Sequence, residues 1–159
     1  MRRAKPILVA ALAATVVAAL GASATDLGPW YVNLRKPWFQ PPDLLFGPAW
    51  TVIYALTATA GVIAWNHLRD RRAKLRVMGY FALNAGLNVL WSELFFRFHR
   101  PDWALFEVVA FWLSIVLLIA VVWPVSRGAG AALMPYLAWV SFAAVLNLAV
   151  VRLNAPFGA

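Results

Sequence analysis

The chain has 159 residues, 64% of them hydrophobic and only 13% charged, with nine Trp and no Cys. A soluble domain averages about 45–50% apolar and about a quarter charged, so the surplus apolar surface points to the bilayer as solvent, and the lack of Cys excludes disulfides and thiolate chemistry. The net charge of +8 does not mark a nucleic-acid binder, because the basic residues flank apolar segments instead of covering one face of a soluble module.

Five apolar segments follow one another at 6–24, 44–66, 77–98, 103–123 and 131–152. At about 1.5 Å per residue each can cross a hydrocarbon core of about 30 Å. They predict an all-α membrane protein, a five-transmembrane-helix bundle forming a single domain over 1–159. The first segment also has the layout of a secretory signal, with a basic start and Ala22-Ser23-Ala24 as a cleavage-like end. Its length, and the recurrence of Ala10, Ala14, Ala18 and Ala22, favour a retained helix with a small-residue face for close packing in lipid.

Between the first and second segments lies a 25–43 loop containing "KPWFQPP" at 36–42. Its three prolines exclude a regular helix and predict a stiff aromatic lid. In the second segment Trp50, Tyr54, Thr57, Ala58, Gly61 and Trp65 share one helical face. In the third, Asn84, Asn88, Trp91, Ser92 and Phe95 do so. The fourth is bracketed by Trp103 and Trp123, which read as interfacial anchors. In the fifth, Pro135, Trp139, Ala143, Leu146 and Asn147 line one side.

Helical rise puts Trp50, Tyr54, Asn88 and Trp91 roughly 10–15 Å below the loop side, and Asn84 roughly 20 Å down. Amides in lipid must face the bundle interior or a cavity. Two readings of these residues are open: a cavity roofed by the loop, or aromatic anchors and amide contacts that only hold helices together.

Topology follows from counting Lys and Arg. The N-terminal side carries Arg2, Arg3, Lys5, Arg69, Arg71, Arg72, Lys74, Arg76 and Arg127, against Arg35, Lys36, Arg97, Arg100 and Arg152 on the other. The N-terminus is therefore expected in the cytoplasm and the loop outside.

Catalytic and metal constellations are poor. His67 and His99 sit at helix ends beside basic residues, and no HExxH, Gly-rich phosphate loop or Ser/His/Asp set occurs. Glu93 and Glu107 are the acids well inside apolar segments; their nearness to Arg97 and Arg100 predicts an ion-pair cluster at the mouth. What remains suits a large, flat, apolar ligand stacked on tryptophan, with Arg35 and Lys36 meeting carboxylates at the rim.

Four stretches, "WYVNLRKPWFQPP" at 30–42, "FGPAWTVIYAL" at 46–56, "LNAGLNVLWSELFF" at 83–96 and "PYLAWVSFAAVLNLAVVRLN" at 135–154, together resemble the TspO/MBR family, the tryptophan-rich sensory proteins that include the mitochondrial translocator protein. The resemblance implies a homodimeric five-helix receptor for protoporphyrin IX or haem, bound as ligands and not as an obligatory cofactor. Trp38, Trp50 and Trp139 match the family's pocket tryptophans, and Tyr31, Pro42, Phe46, Tyr54, Asn84 and Ala143 its further lining. Trp91 joins them from its helical face.

Some bacterial members promote light-dependent porphyrin breakdown through the tryptophans that match Trp50 and Trp139, so the resemblance also admits a porphyrin-degrading enzyme, or a tetrapyrrole or lipid transporter. A multi-pass protein of a bacterial cell membrane is expected. The sterol-recognition pattern of animal members is lacking: "VLNLAVVR" at 145–152 has no tyrosine.

Overall fold

The computed structural model describes residues 4–157. Arg2 and Arg3 of the charge count lie outside the described residues. The described residues are helical with no strand: α1 Ala4–Ala24, α2 Pro29–Asn33, α3 Phe46–His67, α4 Arg71–Ser92, α5 Pro101–Val122, α6 Arg127–Ala132 and α7 Met134–Asn154. A 3₁₀ turn at Asp43–Leu45 leads into α3, and a π-helical turn at Glu93–Arg97 ends the α4 rod.

Local chemistry sets these boundaries. Pro29, Pro101 and Pro135 each occupy a first helical turn, where a missing N–H costs nothing. The Asp70 side chain accepts from Ala73 N at 2.7 Å and caps α4, as Ser126 accepts from Ala129 N at 3.3 Å to cap α6. After the π turn, His99 adopts a left-handed φ of 54°, and Arg100 N returns to Leu94 O at 2.9 Å. The chain thereby reverses sharply into α5.

Among the described residues, four segments are long and apolar enough to cross a membrane: α1, α3 with its preceding turn, α5, and α6–α7 together. The expectation of five spans thus meets four by composition. The exception is α4, which is as long, at 22 residues, as α3 and α5. Its cap at Asp70 draws Arg71, Arg72, Lys74 and Arg76 into the first helical turns, so the helix begins ahead of the apolar segment that starts at residue 77.

The core stacks in three layers along the bundle. At the end away from the lid, Ala60 and Ala64 of α3 meet Val77, Leu118, Val122 and Leu133. The middle layer joins Ile53, Val108, Phe111, Ile115, Tyr136 and Val140. Under the loop, Tyr31, Phe95, Ala104 and Val150 form the third. α5 runs through all three, between α4 and α7, while α1 packs mainly on α3.

Candidate functional site

Beside the upper two layers lies a cavity of about 460 Å³. Its walls follow from helical periodicity: Phe46, Trp50 and Tyr54 recur every four residues along α3, and Trp139, Ala143 and Asn147 do the same along α7. Trp91, Phe95 and Phe96 close it from the end of α4 and the π turn, and Ala18, Gly21 and Ala22 of α1 complete the wall. A Cβ at Gly21 would stand 3.7 Å from the Tyr54 hydroxyl and 4.0 Å from Ser92 Oγ. Small residues on α1 therefore leave the cavity its width.

The aromatic lining is held by its own contacts. Trp50 stacks on Tyr54 with centroids 5.4 Å apart, and Trp91 on Phe95 at 5.1 Å. Phe46 meets Trp139 edge-on at 5.7 Å, the offset and T-shaped geometries that ring quadrupoles favour. Buried amides fix the floor and one wall. Tyr54 donates to Asn88 Oδ1 at 2.9 Å, and Asn88 Nδ2 donates to the Tyr136 oxygen at 3.3 Å. Trp91 Nε1 donates to Asn147 Oδ1 at 3.2 Å, and Asn147 Nδ2 to Pro101 O at 2.9 Å.

The roof is a polar cluster centred on Asp43. Its Oδ1 accepts from the Tyr31 hydroxyl at 2.7 Å and from Gln40 Nε2 at 3.1 Å. Its Oδ2 faces Lys36 Nζ at 3.4 Å. The same ammonium lies 3.8 Å from the Tyr31 ring centroid, a cation–π contact. Burial, then the hydrogen bond and negative charge of Asp43, push the Tyr31 phenol well above its ordinary range, so it stays a donor at neutral pH. The base of the roof is pinned to the end of α7: Arg35 N donates to Asn154 Oδ1 at 2.8 Å, and Asn154 Nδ2 to Arg35 O at 2.9 Å.

Of the residues singled out from sequence, Tyr31, Lys36, Phe46, Trp50, Tyr54, Trp91, Trp139 and Ala143 come together on the cavity. Trp38, Pro42, Asn84 and Arg35 do not line it. Gln40 N bonds Pro37 O at 3.0 Å, which makes Trp38 and Phe39 the two corners of a tight turn. Phe39 turns toward Phe142 and Trp38 outward, 95% exposed. Asn84 is buried at another level of the bundle, donating to Ser114 Oγ at 2.8 Å.

The expected ion-pair cluster also divides. Arg97 pairs with Glu93 at 3.4 Å and Arg100 with Asp102, whereas both Glu107 oxygens are shielded and lack a hydrogen-bond partner among the described residues. Sequence reasoning passed over Gly21, Gln40 and Asp43. Asp43 carried a signal, as the lone acid between Asp26 and Asp70.

The profile of the TspO/MBR family matches residues 7–153. A tryptophan-rich protein TspO from Archaeoglobus fulgidus is 39% identical over 135 residues, covering 84% of this chain and 85% of the relative. A tryptophan-rich sensory protein from Cereibacter sphaeroides is 34% identical, over 91% of this chain and 92% of the relative. The translocator protein of Homo sapiens is 31% identical, over 79% and 75%.

Proposed function

Because the chain belongs to the TspO/MBR family, we propose that this multi-pass membrane protein is a tetrapyrrole receptor, binding protoporphyrin IX or haem to sense or pass it on. The observation that carries the proposal is the cavity itself: about 460 Å³, walled by stacked aromatics, with one cation at its mouth. That volume falls within the range of about 300–1,000 Å³ typical of small-molecule pockets. A flat macrocycle would lie against Trp50 and Trp139, and its propionates would reach Lys36 at the rim. The names of the bacterial and animal relatives, sensory protein and translocator protein, agree with a receptor that signals or hands on its ligand.

In this reading α4 is the fifth span. Its four basic residues lie in the first turns, where long side chains reach the headgroups. They anchor that end of the bundle in the cytoplasm with the N-terminus, and the cavity opens under the outer loop.

Titration of the purified protein with protoporphyrin IX, followed by its absorbance shift, tests the proposal. The double substitution Trp50→Phe with Trp139→Phe is expected to weaken binding about tenfold, since each aromatic pair contributes roughly 0.5–1.5 kcal/mol. Unchanged affinity would remove the stacking model.

A further inference from the structure

We propose that Asp43 is an internal carboxylate that pairs with Lys36 at the mouth of the cavity and thereby sets how strongly the site takes acidic ligands. This rests on the tetrapyrrole reading above and concerns the specificity of the same cavity.

The two oxygens of Asp43 have separate tasks. Oδ1 holds the roof together by accepting from Tyr31 and Gln40, at 2.7 and 3.1 Å. Oδ2 faces Lys36 Nζ at 3.4 Å. Among the described residues lining the cavity, the charged ones are Lys36 and Asp43, and they neutralise each other at the mouth. A ligand carboxylate arriving there meets a lysine already paired and an acid of its own sign. To bind through Lys36 it must take the ammonium from Oδ2.

The exchange is accessible. The Lys36 and Asp43 side chains keep 27% and 44% of their surface in solvent, so neither ion has to cross a dry region to change partner, and a pair this exposed is weakly held. The ammonium also has a second attachment that does not depend on Asp43, since it sits 3.8 Å from the Tyr31 ring centroid. Lys36 can therefore swing from one carboxylate to another while remaining over the same ring. Oδ1 keeps its two donors throughout, so the roof need not open for the swap. Asp43 thus acts as a specificity residue: it lowers affinity for carboxylate-bearing ligands and leaves neutral ones of the same shape unaffected.

The test compares protoporphyrin IX with its dimethyl ester on the full-length protein in detergent. Asp43→Asn retains the Oδ1 acceptor and removes the charge that holds Lys36. It is expected to bind the dicarboxylic form roughly fivefold tighter with the ester unchanged, and Lys36→Gln is expected to lower the acid-to-ester ratio. An Asp43→Asn ratio equal to or below that of the unaltered chain overturns the proposal. If this variant does not fold, the Lys36→Gln ratio is read alone, and a value equal to that of the unaltered chain overturns the proposal. Absence of binding by either form to the unaltered chain overturns the tetrapyrrole reading and this one with it, whereas binding with an unchanged ratio overturns this one alone.

Discussion

α1 and α5 are the two most apolar spans among the described residues, and they do opposite jobs. α5 buries eight residues and threads all three core layers. α1 buries two, Gly21 and Ala24, both at its loop end. In lipid, hydrophobicity does not decide which helix goes inside, because the solvent is as apolar as the side chains. Shape and hydrogen bonding decide instead. α5 offers small and branched residues to α4 and α7, and Ser114 to Asn84. α1 offers a narrow edge of Ala and Gly to the cavity and leaves Leu8, Val9 and Leu12 to the surrounding lipid.

The largest expected effect follows directly. Phe111 is 2% exposed in the middle layer, and Phe111→Ala is expected to cost about 3–5 kcal/mol through lost packing and a cavity. Leu12 on α1 is 66% exposed, and Leu12→Ala is expected to change stability by less than about 0.5 kcal/mol. Unfolding in mixed detergent micelles measures both. Equal losses would mean that α1 is as much a part of the core as α5.

A smaller effect tests the amides. Asn147 is 1% exposed and joins α7 to Trp91 of α4 and to Pro101 at the start of α5. Asn147→Ala leaves the Trp91 indole N–H without its partner and removes the tie to the Pro101 carbonyl, which keeps its bond within α5. It is expected to cost about 1–3 kcal/mol by the same unfolding measurement. Thr15→Ala on α1, whose hydroxyl bonds only its own helix at Ala11 O, should be near neutral.

The contrast also marks what the sequence can carry. The long helices and the walls of the cavity were legible because both are periodic: Trp50 with Tyr54, and Trp139 with Ala143, repeat every helical turn whatever surrounds them. The start of α4 was not, since hydropathy cannot distinguish a charged helical turn from a charged loop, and only the Asp70 cap settles it. The roof was legible only in part. Tyr31 meets an acid 12 residues away, and Arg35 is clipped by an asparagine 119 residues away; neither pairing has a period. Trp38 is expected in the lining from the family resemblance, and an aromatic among prolines suggests a lid. A single turn closed by Gln40 N on Pro37 O faces it outward.

The wall role of α1 gives the smallest change in stability and the clearest separation of binding from folding. Gly21 lines the cavity, and an added Cβ there meets only ordinary contacts, 3.7 Å to Tyr54 and 4.0 Å to Ser92. Gly21→Ala should therefore fold as well as the unaltered chain or better, since Ala gains about 1 kcal/mol over Gly inside a helix. Gly21→Leu adds three more carbons, which have the open cavity before them and need not displace the core. Its unfolding midpoint should stay close to that of the alanine variant, while, on the proposed tetrapyrrole reading, affinity for protoporphyrin IX is expected to fall at least about tenfold, because the side chain would take volume proposed for the macrocycle. Loss of affinity that grows with side-chain size at constant stability would assign α1 to the site and α5 to the fold. A Gly21→Leu protein that unfolds early but still binds would reverse that assignment, and would mean that α1 is held against α3 more tightly than its two buried residues imply.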